Sequence, residues 1–433
     1  MKRIWMLTLL ITGSVQAQER SSFLEKETAR QQSVYENWYQ RLHAQPELST
    51  REEKTAAFLK QELAAMGYEM VGEMGYHSFA AILRNGKGPV ILYRTDMDGL
   101  PVKEQTGLPF ASTVQYDKEG EKVSAMHACG HDIHMSTWLG IAQMMQAQRK
   151  NWSGTFILLA QSAEETGQGA KKVVASAAFQ NLPRADIQLA IHDHAELPAG
   201  QAGFCDGYSM AAVDMMNITI YGKGGHGAVP QQAIDPVLLA SKYVVSIQEI
   251  VSRNLGVNDP AVITVGAIHG GTVGNIIPDQ VQLKLTIRSF SAASRQLILD
   301  RLKTIGDGLA AAAGLGADRY PKYELLDMTI PSVYNDPALG VRIRGMMQKQ
   351  FGDSSVAMVK PIMIGEDFGV YGQQAGAIPS YIIWMGTVGM GRQKGDTPSL
   401  HSAKFAPDYR ETIPKAVGRM SGVLMGLFGT NFR

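Results

Sequence analysis

The chain has 433 residues, 45% hydrophobic and 19% charged, with a formal net charge of +1. That length exceeds what one hydrophobic core ordinarily serves, and that composition excludes a disordered chain. The balanced charge, with no basic stripe and no long run of like charge, argues against nucleic acid or an anionic membrane as partner.

Lys2 and Arg3 precede a short apolar run, Ile4 to Ile11, and Val15-Gln16-Ala17 has the small-x-small pattern of a cleavage site. These features predict a signal peptide over 1–17 and an exported protein, periplasmic or secreted. The apolar run is well below the roughly 20 residues needed to span a bilayer. No cysteine stands at the cleavage site to take a lipid.

Helical spacing follows over Phe23–Tyr39 and Thr55–Met66. Short apolar runs at Ser78–Arg84, Pro89–Arg94, Thr155–Ala160 and Ile187–Ile191 predict strands, and Met135–Gln148 a helix. Near-continuous apolar strands alternating with helices predict an α/β fold, a mostly parallel sheet flanked by helices. From about Met210 the pattern changes. Strands at Asp214–Tyr221, Ala261–Ala267, Gln280–Phe290 and Tyr320–Leu326 and helices at Pro236–Arg253 and Ser291–Ala313 give the order βαββαβ, a ferredoxin-like arrangement. The α/β pattern resumes with a helix at Pro337–Gln350 and a strand at Ser380–Met385. The expected organisation is a discontinuous catalytic domain, 18–209 and 328–433, carrying an inserted domain, 210–327.

Chemistry-bearing side chains cluster at predicted strand ends, where open α/β sheets bind ligands. Asp96 and Asp98 follow one strand, Glu164 and Glu165 a second, and His192 a third. The segment Met126-His127-Ala128-Cys129-Gly130-His131-Asp132-Ile133-His134 adds three histidines, a thiol and a carboxylate. Thiolate, imidazole and carboxylate together suit a borderline-soft divalent ion. With only Cys129 and Cys205 present, a disulfide is the competing reading, and the histidines around Cys129 favour metal. Adjacent glutamates at a strand end point different ways, so one can bind metal while the other takes a proton from water. His127 and His134 are expected in support. Asp132 suits a helix N-cap or would orient His131.

These pieces resemble a known family. Arg94–Pro101 (RTDMDGLP), HACGHD at 127–132, AEETGQGAK at 163–171, Ile191-His192, GKGGHGAVP at 222–230, VGNIIPD at 273–279, GEDF at 365–368 and Leu400-His401-Ser402 occur in its order. The chain is similar to the co-catalytic metallopeptidases and amidohydrolases that include carboxypeptidase G and aminoacylase. Within these it looks most like the hippurate hydrolase and auxin-conjugate amidohydrolase subfamily.

The resemblance implies two divalent ions (zinc, manganese, nickel or cobalt) held by Cys129, His131, Glu165, His192 and His401. Cys129 would bridge them, Glu164 would be the general base, and Asp98 would support the ligands from behind. Asp96 stands where other branches have a histidine ligand, and is not assigned to metal. The inserted domain would be a lid and a homodimer interface. There His226 would help stabilise the oxyanion, and Asn275 and Arg288 would meet the substrate's carbonyl or carboxylate. The implied activity is hydrolysis of the amide bond of an N-acyl amino acid or short peptide. Two divalent ions outweigh a thiolate, a carboxylate and a hydroxide, so an anionic substrate is favoured. The rival reading is an exported metal- or peptide-binding protein without catalysis, which would have no need of Glu164.

Overall fold

The structure, a computed structural model, describes residues 19–118, 120–374, 376–392 and 395–429. The signal-peptide reading of 1–17 lies outside the described residues. The chain forms two compact units. The first takes in the chain up to Gly207, Tyr334–Lys360 and the chain from Val370 onward; the second is Tyr208–Val333 with Pro361–Gly369. Residues 361–369, which carry the GEDF motif, were expected with the first unit and belong to the second.

The first unit is built on an eight-stranded sheet. Its strands lie in the order Glu69–Val71, Phe79–Asn85, Gly154–Gln161, Val90–Asp96, Ile187–Pro198, Ser380–Val388, Ala202–Phe204 and Val356–Met358. The middle four run parallel to one another, as expected from their apolar sequences. Every residue of Ser380–Val388 is buried, which requires cover on both faces. The Phe79–Asn85 strand joins Gly154–Gln161 antiparallel, so the sheet is mixed toward its edges.

The helix His131–Ala147 is buried on almost every side and shares one apolar core with the sheet and with Gln32–Ala44 and Tyr409–Phe428. It begins four residues before the expected Met135, because Gly130 turns the chain into it with φ 75°. A side chain there is excluded twice, by that backbone conformation and by the Asp193 carboxylate, 2.5 Å from where a Cβ would stand. Helix Tyr409–Phe428 and the hairpin Gln115–Lys118/Glu121–Ser124 were not anticipated.

The second unit shows the expected βαββαβ order. Its four-stranded antiparallel sheet is ordered Ala261–His269, Gln280–Ser289, Ala212–Tyr221, Lys322–Leu325. Val281, Leu283, Leu285 and Ile287 are buried and alternate with exposed Gln280, Gln282 and Lys284. The buried set packs with Leu239 and Tyr243 of helix Pro236–Ser246 and with Ile298 and Leu302 of helix Ala292–Ala312. The first of these helices stops at Ser246 and is followed by a π turn at Ile250–Asn254, where one helix to Arg253 was expected.

Candidate metal centre

The sheet register sets the site. Asp96 pairs with Gln161 on one side of its strand, and Arg94 pairs with Ala190 on the other. Continued two residues, that register brings Asp96, Gln161 and His192 to one level across three neighbouring strands. The strand carrying His192 does not end at Ile191, as expected. It runs to Pro198 by pairing with Ser380–Val388, and Trp384 lies opposite His192.

Donor atoms converge here from four segments. Cys129 Sγ lies 3.3 Å from His401 Nε2 and 3.7 Å from His192 Nε2. Glu165 Oε1 lies 3.6 Å from His401 Nε2 and 3.8 Å from His131 Nε2. Glu164 Oε2 is 3.9 Å from the same His131 nitrogen. The two glutamates therefore converge, where divergence was expected. His401 has φ 66°, and its backbone N–H donates to the Ala128 carbonyl at 2.7 Å, tying it to the Cys129 segment. His131 is the first residue of its helix rather than part of a turn.

The glutamates are presented by a turn with an unusual backbone. Ala163 has φ 56°, a left-handed conformation that costs any residue with a Cβ. The Ser162 N–H donates to Ser78 Oγ at 2.9 Å, the Ala163 N–H to Glu52 Oε1 at 2.7 Å, and the Glu165 N–H to Asp98 Oδ2 at 3.0 Å. Asp98 also accepts from Ser49 Oγ at 2.6 Å and faces His131 Nδ1 at 3.3 Å. It thus supports both a glutamate and an imidazole.

The electrostatics suit a divalent cation. Burial pushes the Glu165 carboxyl up to about 7, and burial with the Glu165 charge pushes the Cys129 thiol well up. His131 is driven the other way: burial disfavours its cation, but the Asp96 charge and Asp98 hold its pKa well above the ordinary value. Burial and the neighbouring His131 lower His401. His131 Nε2 and Glu165 Oε1 are buried without a hydrogen-bond partner. Buried polar atoms left unmatched at one point are what a divalent ion would satisfy.

Asp96 Oδ2 also lies 3.8 Å from His131 Nε2, but its shorter contacts are to other groups. Arg94 Nη1 donates to its Oδ2 at 2.6 Å, and His134 Nδ1 meets its Oδ1 at 2.8 Å. His134 Nε2 reaches Asp193 Oδ1 at 3.0 Å, and Asp193 Oδ1 lies 3.1 Å from His192 Nδ1. Burial opposes charge on His134, but the flanking carboxylates win and raise it to about 9. Both ring nitrogens of His134 are thus occupied by carboxylates, and this row orients His192 from behind. Asp132 neither caps the helix nor orients His131. It lies inside the first turn and meets His43 Nδ1 at 2.6 Å, while His43 Nε2 meets Glu104 Oε1 at 2.9 Å. His43, Glu104 and Glu52 carry no motif signal; Asp193 could have been suspected from its place beside His192. His127 is buried, and burial depresses it to about 4. His194 packs edge-on against Trp384, 5.4 Å between centroids. Cys205 is buried.

In the second unit, His226 and Asn275 lie on one two-stranded ribbon. His226 pairs with Ile276, and the Gly227 N–H donates to the Asn275 carbonyl at 2.9 Å. Both side chains are exposed. The neighbouring glycines are explained by the chain itself, since a Cβ on Gly222 would stand 2.3 Å from the Ile234 carbonyl and one on Gly224 2.9 Å from that of Ile277. Arg288 is half-buried, with its Nη1 3.4 Å from the Met363 carbonyl, and burial lowers its pKa.

A family model for peptidase family M20/M25/M40 matches residues 92–425, which includes every donor named above. The chain belongs to this family. Among its M20 relatives, an N-acetylcysteine deacetylase of Bacillus subtilis is 34% identical over 80% of this chain and 87% of its own length. An N-acetyldiaminopimelate deacetylase of Leuconostoc citreum is 35% identical over 86% and 91%. The crystal structure of a Bacillus subtilis dinuclear metal binding peptidase of the M20 family superposes with a TM-score of 0.77 at 28% identity, covering 92% of this chain and 99% of that one.

Proposed function

We propose that this protein is a metal-dependent amidohydrolase cleaving the amide bond of N-acyl amino acids or short peptides. The observation that carries the reading is the convergence of Cys129, His131, Glu165, His192 and His401, with Glu164 beside them at the end of a parallel sheet. Those five residues would hold two divalent ions, which when bound polarise the scissile carbonyl and acidify the attacking water. The thiolate favours zinc, manganese, nickel or cobalt over magnesium or calcium.

The chain supplies the proton handling. Glu164 accepts the proton of the attacking water at its carboxylate and returns it to the departing amine nitrogen, ending as it began. Asp98 and Asp193 keep His131 and His192 oriented. His226 is assigned to the developing oxyanion, and Asn275 and Arg288 to the substrate's carbonyl or carboxylate. The second unit is assigned a lid and homodimer role. Exposed Val237, Leu238 and Val245 on one helix, and Val262 and Ile268 on the edge strand Ala261–His269, support the dimer.

The deacetylase names of the relatives favour a small acyl group; the motif likeness to hippurate hydrolase favours a benzoyl group. A panel of N-acetyl-, N-benzoyl- and p-aminobenzoyl-amino acids and dipeptides, run before and after chelation, tests the reading. Hydrolysis of at least one class, abolished by chelation and restored by added metal, is expected; full activity in metal-stripped protein refutes it. Export is proposed from the N-terminal sequence, and an intact Met1 on protein recovered from cells would refute cleavage.

A further inference from the structure

Glu52 stands at the N-cap of helix Glu53–Ala65, yet its side chain makes no cap bond. The shorter aspartate at that position ordinarily accepts from the first turn of its own helix. Instead Oε1 accepts the Ala163 N–H, 111 positions away, at 2.7 Å, and Oε2 is buried without a hydrogen-bond partner. Glu52 and Ala163 are both fully buried.

Ala163 is the left-handed residue immediately before Glu164, and its carbonyl accepts from the Gly169 N–H at 3.0 Å. A residue with a Cβ does not choose this conformation unaided, whereas glycine adopts it freely. A buried carboxyl oxygen that accepts its N–H is able to hold it. Across Glu164, the Glu165 N–H is held by Asp98. Asp98 also faces His131, so its loss would disturb a metal ligand; Glu52 binds the turn at the Ala163 backbone, and burial with the nearby Asp98 charge raises its carboxyl to about 7.

We propose that Glu52 is a positioning residue: by clamping the Ala163 N–H it locks the left-handed turn that aims Glu164 at the reacting water. The inference rests on the reading of Glu164 as the base. In metal-loaded full-length protein, Glu52→Leu is expected to lower kcat about 30-fold or more, with KM within about threefold and metal content unchanged. Glu52→Gln, which keeps an acceptor oxygen, is expected to restore kcat to within about threefold. Adding Ala163→Gly to Glu52→Leu is expected to recover about fivefold, because glycine no longer needs the clamp to adopt the turn.

A folded Glu52→Leu variant with wild-type kcat overturns the proposal, as does a double variant no faster than Glu52→Leu alone. Should Glu52→Leu fail to fold, Glu52→Gln decides: tenfold or greater loss with metal retained overturns the clamp, and retained turnover supports it. Glu164→Gln runs alongside. Full activity there removes the base and the clamp together, whereas an inactive Glu164→Gln beside a fully active Glu52→Leu removes the clamp alone.

Discussion

Replacing His43 by glutamine removes a buried imidazolium that bridges two carboxylates. His43 meets Asp132 at 2.6 Å and Glu104 at 2.9 Å, and the rings of Tyr39 and Phe110 pack around it. Burial opposes the charge, but the two carboxylates prevail and raise its pKa from 6.5 to about 9. A displacement of that size corresponds to about 3 kcal/mol of folding free energy. The folded-state value is the raised one, so this stabilisation is complete below about pH 6.5 and is lost as pH rises through about 9. At roughly 2 °C per kcal/mol for a unit of this size, wild type should melt about 6 °C above His43→Gln at pH 6. The gap should close toward pH 10, where both side chains are neutral. Thermal melts of the two metal-loaded proteins across that range read the difference directly, because tyrosine and lysine titrations are common to both. A gap that stays constant with pH would show that His43 is not charged in the folded protein.

Glu164→Gln should keep its metal and lose turnover by about 10² or more, read by elemental analysis beside steady-state kinetics; an active variant would displace the base assignment. Near pH 6.5 the metal-free protein should carry protons on Cys129, on His131 and largely on Glu165, since burial raises the first and third and carboxylates raise the second. Metal loading should therefore release more than one proton, measured by calorimetry in buffers of differing ionisation enthalpy, and release of none would contradict the ligand set. His226→Ala should impair turnover without altering metal content. Mixing it with Glu164→Gln should restore part of the activity if the histidine serves a partner subunit, and absence of recovery would confine it to its own chain.

The parallel strands were legible because burial on both faces leaves unbroken apolar runs such as FILLA at 156–160. The start of helix His131–Ala147 was not. His131, Asp132 and His134 are polar yet buried, so the apolar periodicity shows only from Ile133 onward. Tyr409–Phe428 was missed because Pro414 and glycines at 418, 422 and 426 interrupt a helical pattern that burial nonetheless enforces. The donors themselves were readable from residue type and order. Their aim was not: it depends on the sign of φ at Ala163 and on Glu52, Asp193 and His43, whose partners lie far along the chain or at right angles to any local period.

Cys129 and His401 approach to 3.3 Å although 272 positions separate them, and the intervening chain includes all of the second unit. An ion gripped by both would close that chain into a ring, as a disulfide would. Cross-links over long loops act largely on the unfolded ensemble by removing its freedom. Metal would then be a staple as well as a catalyst, and its loss should widen the unfolded ensemble and lower the stability of the whole chain.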